Sequence, residues 1–271
     1  MKLFVILFGI TLANEIKVNK LGGWKFLVSL NRRNGEFFCD GNAITKNLAI
    51  TTKRCLEDKS EDEVKIRSGF EDSHIFATNW HSVLKFFFPN TKFNSKPIDL
   101  ALMKVDPSFD NFAMLPGDLL DVFEIRSRHA TCHAVFWKKS ENSDVLNLEE
   151  YQTEIVRINT NQILSNLGTF EVLNTKRDSG APLVCPDERN NSILVGILSR
   201  GNRENRSKLA LYENLAFSLG WIRKRIEKEN KIGNKTTLFK NVMKFKSQRE
   251  ANGRADKKYL SIIMFTLIFV T

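Results

Sequence analysis

The apolar residues between positions 24 and 212 fall into many short runs, and this pattern restricts the chain to a small set of folds. Several runs are rich in β-branched or aromatic residues, and turn residues separate them. Examples lie at positions 26–30, 48–51, 64–67, 83–88, 100–103 and 193–199. Asn34-Gly35 is a strong signal for a tight hairpin. Short strands at this spacing predict an all-β architecture, either a sandwich or a pair of barrels.

One helix is predicted after the last of these runs. Leucine and isoleucine recur at intervals of four, three and four residues from Leu215 to Ile226, with basic residues on the opposite side. The helix should begin near Asn214 and end near Asn230. The segment 231–258 has no sustained period and is predicted to be a linker.

The N-terminus has the features of a secretory signal peptide at residues 1–13. Lys2 precedes an apolar run at 3–12, and small residues near Ala13 suit cleavage. The alternative is a buried strand or helix. Three glycosylation sequons agree with secretion, with acceptors at Asn190, Asn205 and Asn234.

The cysteines are even in number, which in a secreted chain predicts two disulfides. They are Cys39, Cys55, Cys132 and Cys185. Spacing alone leaves three pairings open.

The net charge of +10 is concentrated near the C-terminus. Residues 231–258 hold nine Lys or Arg against Glu250 and Asp256, a net of +7. Secreted proteins rarely meet nucleic acids, so no nucleic-acid partner is predicted. The basic linker is instead expected to be solvated or to bind an anionic glycan or membrane surface. The hydrophobic tail at 259–271 resembles a signal for a glycolipid (GPI) anchor, the alternatives being a frayed tail or a marginal membrane anchor.

Five sequence blocks in order resemble the chymotrypsin/trypsin-like serine proteases. FCDGNAI at 38–44 is similar to CGGSLI, LAITTKRC at 48–55 to WVLTAAHC, and PIDLALMK at 97–104 to NDIALLK. RDSGAPLVC at 177–185 is similar to GDSGGPLVC, and GILS at 196–199 to GIVS, before a closing segment with Trp221-Ile222. The resemblance covers residues 24–230, within a trypsin-like domain at 14–230.

The resemblance implies an all-β fold of two six-stranded antiparallel barrels followed by a C-terminal helix. It also implies the disulfides Cys39–Cys55 and Cys132–Cys185. No cofactor and no metal are expected.

The resemblance further implies three catalytic positions. Ser179 stands at the nucleophile and Asp99 at the orienting acid, but Arg54 occupies the place of the histidine base. A guanidinium stays protonated and has no acceptor lone pair, so it cannot take the serine proton. We expect Arg54 to form an ion pair with Asp99 instead. The histidines of the chain lie outside the matching block, at His74, His81, His129 and His133.

Other positions that match the active site also differ from the family. Arg177 replaces a glycine of the oxyanion region, which continues through Asp178 to Ser179. The equivalents of the specificity pocket are Leu173, Arg200 and Ala210, in place of an acid, a tryptophan and a glycine. A conventional activation sequence is missing.

The predicted function is therefore that of a secreted, inactive protease homologue, a cofactor, decoy or regulator that binds extracellular proteins such as proteases or their substrates. One alternative is an active endopeptidase with a non-standard base. The other is an adhesion or receptor protein tethered to the cell surface.

Overall fold

The computed structural model describes residues 24–69, 79–89, 98–139, 146–159, 161–167, 178–201 and 209–232. The predicted signal peptide, the basic linker and the hydrophobic tail lie outside these residues. The described residues form two closed antiparallel barrels of six strands each, which confirms the predicted fold.

The first barrel has the strand order β1-β2-β3-β6-β5-β4. Its strands are β1 (Leu27–Arg32), β2 (Phe37–Thr45), β3 (Leu48–Thr51), β4 (Val64–Ser68), β5 (Asn79–Phe87) and β6 (Ala101–Asp106). Burial alternates along β4, where Val64 and Ile66 point into the barrel and Lys65 is exposed. This alternation lets a short strand contribute to the core while its other face meets solvent.

The second barrel has the equivalent order β10-β11-β12-β9-β8-β7. Its strands are β7 (Cys132–Lys139), β8 (Leu146–Ile158), β9 (Gln162–Asn166), β10 (Pro182–Pro186), β11 (Ser192–Gly201) and β12 (Leu209–Asn214). Its core includes the fully buried ring of Tyr212.

The hairpin predicted at Asn34-Gly35 joins β1 to β2. Gly35 has a φ of +86°, which residues with a side chain rarely adopt. The Arg32 N–H donates to the Glu36 carbonyl at 2.8 Å and closes the turn.

Each barrel contains one of the disulfides that the resemblance implied. Cys39 and Cys55 are joined beside the cleft, and Cys132 and Cys185 tie β7 to β10. A bridge of this kind contributes about 2–4 kcal/mol of stability.

Two helices flank the second barrel in sequence. The helix α1 (Leu119–Ser127) was not predicted, and its N-cap is Asp118, whose carboxylate accepts from the Leu120 N–H at 2.7 Å. The predicted helix, α2, spans residues 215–232. Asn214 caps it by accepting from the Ala216 N–H at 3.1 Å.

The chain forms two compact units, Met1–Trp221 and Ile222–Thr271. The first contains both barrels. In the second, Arg225 and Glu229 pair at 3.7 Å, one turn apart on α2. No helix among the described residues combines the length and apolar character needed to cross a membrane.

Candidate functional site

A cavity of about 870 Å³ lies where the two barrels meet. Arg54 and Asp99 of the first barrel line it, together with Ser199 and Glu213 of the second. Arg54 lies in a short 3-10 helix (Lys53–Cys55) after β3, whereas Asp99 lies just before β6. The antiparallel pairing of β3 with β6 brings these two residues together across 45 positions of sequence.

The predicted ion pair between Arg54 and Asp99 is present. The Arg54 Nε and Nη2 atoms both lie 2.6 Å from Asp99 Oδ2, and the Arg54 backbone N–H donates to Oδ1 at 3.1 Å. The two side chains are 28% and 17% exposed, respectively. Arg54 therefore neutralises a largely buried carboxylate, but its guanidinium offers no lone pair to a proton.

Ser199 and Glu213 extend this ion pair into a network. The Ser199 hydroxyl donates to Asp99 Oδ2 at 2.7 Å and lies 3.3 Å from Arg54 Nη2. Glu213 is only 2% exposed. Burial, and then the negative charge of Asp99, raise the pKa of Glu213 to about 7, against the opposing effects of the Asp99 N–H, Arg54 and Ser199. Two carboxylates and one guanidinium thus lie together in this part of the cleft. We call it the base side, after the position that the family's histidine would occupy, and define it as Arg54, Asp99, Ser199 and Glu213.

The Ser179 hydroxyl is turned toward the first barrel. Its Oγ lies 2.8 Å from Thr52 Oγ1, and either hydroxyl can be the donor. Thr52 in turn lies 3.1 Å from Cys55 Sγ. Ser179 is 1% exposed, so its oxygen is both hydrogen-bonded and shielded from solvent.

Backbone contacts hold the loop that carries Ser179. The Asp40 N–H donates to the Ser179 carbonyl and the Gly180 N–H to the Leu198 carbonyl, each at 2.9 Å. Asn42 Nδ2 donates to the Gly180 carbonyl at 2.9 Å. Gly180 has a φ of +96°, and a Cβ there would collide with the Asp40 carbonyl oxygen. None of these contacts uses the Ser179 hydroxyl. We define the nucleophile side as this loop, 178–180, with Asp40 and Thr52.

Asp40 is a buried acid beneath this loop. Its side chain is fully buried, and neither carboxylate oxygen forms a hydrogen bond of ordinary geometry among the described residues. Burial and the nearby charge of Asp178 raise its pKa well above the usual value, while the Trp137 backbone amide lowers it slightly. The surroundings of Asp40 therefore favour its protonated form.

The remaining predicted site residues are distributed around the second barrel or lie outside the described residues. Ala210 is fully buried in β12, opposite Ser165. Arg200 pairs with Leu211 through the backbone of β11, and its side chain is not described. Asn190 is exposed in the turn between β10 and β11. Leu173, Arg177, Asn205 and Asn234 lie outside the described residues.

Sequence reasoning did not identify Thr52, Ser199 or Glu213 as parts of the site. Thr52 had a local signal, because it stands where the family block WVLTAAHC carries an alanine. Ser199 ends the quoted block GILS, but nothing in that block indicates a bond to a residue 100 positions away. Glu213 is the one acid in β12, whose first four residues are apolar or aromatic, and an acid in such a strand was a usable signal.

Three of the histidines are described, and each contacts groups outside the cleft. His81 Nε2 lies 2.7 Å from Ser68 Oγ, and its Nδ1 lies 2.7 Å from the Pro107 carbonyl oxygen. His129 lies 3.9 Å from Glu154, and His133 lies 2.6 Å from Glu150. In the described part of the chain, no group of three or more His, Cys, Asp or Glu side chains could hold a metal ion.

The part of the chain that matches a known protein family contains every residue that defines this cleft. The family model described as Trypsin matches residues 14–222. Kallikrein 1-related peptidase b22 of Mus musculus is 23% identical in an alignment of 264 positions that covers 83% of this chain and 98% of that protein. Coagulation factor XII of Cavia porcellus is 25% identical in an alignment of 226 positions that covers 70% of this chain but 37% of that protein.

Proposed function

The chain belongs to the trypsin family of serine proteases, and we propose that it is a secreted member that does not cleave peptides and acts by binding other proteins. The ion pair between Arg54 and Asp99 is the observation that carries this proposal. Hydrolysis by this family requires a base that takes the serine proton and later returns it to the leaving group. A guanidinium that stays protonated cannot do either step.

The position of the Ser179 hydroxyl supports the same proposal. A nucleophile must present its oxygen to a substrate carbonyl, with the base within hydrogen-bond reach. The Ser179 oxygen is instead buried against Thr52. Attack on a substrate would therefore require the serine hydroxyl to break this hydrogen bond. It would also require another group to accept the serine proton.

The alternative, an active endopeptidase with a non-standard base, has one candidate base in the cleft. A pKa of about 7 suits Glu213 to general-base chemistry. However, the groups that act on this carboxylate are Asp99, Arg54 and Ser199, whereas the Ser179 hydroxyl contacts Thr52. We therefore prefer the inactive interpretation.

Secretion and protein binding form the second part of the proposal. The two disulfides suit an oxidising compartment, and the N-terminal apolar run suits an export signal. The stapled barrels supply a rigid frame whose surface loops can bind a partner. We propose an extracellular protein partner, an active protease or a protease substrate. Tethering through residues 259–271 remains a separate proposal, and release of the protein from cells by a phospholipase specific for glycolipid anchors would test it.

A serine-directed fluorophosphonate probe tests the loss of catalysis. We expect the mature protein to show no more labelling than its Ser179→Ala variant, with active trypsin as the positive control. Labelling that depends on Ser179 would contradict the proposal. If that labelling were abolished by Glu213→Gln, the alternative with Glu213 as the base would be favoured.

A further inference from the structure

The outer face of β4, β5 and β6 exposes two large apolar side chains. Trp80 is 44% exposed and Leu84 is 54% exposed, both on β5. We call this surface the tryptophan face and define it as Trp80 and Leu84 with the neighbouring basic residues Lys65 and Lys85. Trp80 and Leu84 lie on the same face of β5 with Ser82 between them, and large apolar side chains exposed on one face mark a candidate contact surface.

Strand register places these four residues on one side of the sheet. Lys65 is opposite Ser82, and Arg67 is opposite Trp80. Residues one position along, such as His81, are buried in the barrel, so alternation directs the exposed set outward. The same alternation exposes Leu84, and a bulge between Val83 and Lys85 then brings Lys85 to this face as well.

The charge of the tryptophan face is positive. Lys65 and Lys85 are exposed, and two more basic residues, Arg67 and Lys104, extend the same outer surface. The Arg67 guanidinium lies 5.7 Å from the centre of the Trp80 ring. Two acids of the described part of the chain lie at this surface: Asp106 is opposite Ser82, and the Glu61 carboxylate accepts from the Phe86 N–H at 3.2 Å. The four basic side chains outnumber these two acids, so an anionic occupant fits the face better than a cationic one.

We propose that the tryptophan face binds the surface of a lipid bilayer that contains anionic headgroups. Indole rings favour the boundary between headgroups and hydrocarbon, and lysine side chains reach headgroup phosphates while their stems stay in apolar surroundings. Leu84 favours a bilayer over a sulphated polysaccharide as the occupant. An aliphatic side chain can be buried in the apolar part of a bilayer, whereas a polysaccharide offers no comparable burial. The proposal is independent of whether the protein cleaves peptides.

Cosedimentation of the full chain with phosphatidylcholine vesicles, with and without phosphatidylserine, tests this proposal. We expect binding to the anionic vesicles that weakens about tenfold or more in the double variant Trp80→Ser/Leu84→Ser. The matched control is Leu120→Ser/Phe123→Ser, which removes two exposed apolar side chains of α1 and should leave binding unchanged. Equal binding by the wild type and the Trp80/Leu84 variant would overturn the proposal, as would equal loss in both variants.

Tryptophan fluorescence separates the face from the basic C-terminal segment. On anionic vesicles the emission should shift to the blue in the wild type, and the shift should be lost in Trp80→Phe while binding persists. A shift that survives Trp80→Phe would show that another tryptophan enters the bilayer. Binding to heparin that depends on Trp80 and Leu84, without binding to vesicles, would overturn the bilayer in favour of a sulphated glycan.

Discussion

The two sides of the cleft are held in place by different contacts. On the base side, side chains hold the site: Arg54 and Ser199 satisfy the Asp99 carboxylate directly. On the nucleophile side, main-chain groups of Asp40 and Gly180 hold the loop, and the Asn42 side chain adds one hydrogen bond to the Gly180 carbonyl. The comparison teaches that the contacts holding the Ser179 loop are independent of those around Asp99. Under the proposed function, the family's proton acceptor is replaced by an ion pair without any change required in this loop.

Each side also contains one buried acid, and the two acids differ in the groups that favour their charged forms. Glu213 has the Asp99 N–H, Arg54 and Ser199 to favour its charged form, and its pKa reaches about 7. Asp40 has one such contribution, from the Trp137 backbone amide, and its pKa also rises above the usual value. Burial thus opposes a negative charge on both sides of the cleft, with fewer compensating groups around Asp40.

The largest predicted effect is on the nucleophile side, where Gly180→Ala should destabilise the protein by about 4 kcal/mol. The new methyl group would meet the Asp40 carbonyl at a left-handed φ. The matched control is Gly35→Ala, which also has a positive φ but no atom within 4 Å of the added group, and should lose about 1 kcal/mol. Urea unfolding measures both. Equal losses would show that the main-chain contacts do not govern the loop.

The second prediction concerns Glu213 and pH. A folded-state pKa above the unfolded value means that the folded state holds its proton more tightly, so stability falls as pH rises from about 4.5 to about 7 and then levels off. A shift of this size corresponds to about 3 kcal/mol. Glu213→Gln should therefore match the wild type near pH 4.5 and exceed its stability near pH 8. Unfolding free energies of the two proteins across this range are the measurement, and parallel curves would contradict the prediction.

The third prediction tests the ion pair. Arg54→Ala should cost about 2 kcal/mol, because it leaves the Asp99 carboxylate without its counter-charge; the partial exposure of the pair keeps this below the cost for a fully buried one. The control is Arg33→Ala, which breaks an exposed pair with Asp62 and should cost less than about 1 kcal/mol. A double-mutant cycle with Asp99→Ala isolates the pair energy. If Arg54→Ala and Arg33→Ala lost similar amounts of stability, the pair between Arg54 and Asp99 would contribute no more than an exposed ion pair.

The smallest predicted effect tests whether the two sides of the cleft contribute to stability independently. Thr52→Ala removes the partner of the Ser179 hydroxyl and should cost about 1 kcal/mol. Because Thr52 and Arg54 satisfy different groups, their costs should add within about 0.5 kcal/mol. Fluorophosphonate labelling of Thr52→Ala should remain at the background level, since freeing the hydroxyl supplies no base. Strong coupling between the two substitutions would mean that the sides act as one unit.

The sequence predicted those parts of the molecule that depend on local pattern. The strand runs, the Asn34-Gly35 hairpin and α2 each carry their signal within a few residues. The helix α1 was missed because it exposes Leu120 and Phe123, so its apolar residues do not follow a buried stripe, and Asp118 with Asp121 was its main signal. The contact between Thr52 and Ser179 joins residues 127 positions apart, and no local pattern reports such a pair.

The fit of Gly180 against the Asp40 carbonyl also bears on how genomes are searched for hydrolases. A hydrogen atom is the one substituent that this corner of the loop accommodates, whatever the neighbouring serine does. The tripeptide Asp178-Ser179-Gly180 therefore reports the shape of the loop, and under the proposed function a survey that counts enzymes by this signature alone would overstate their number.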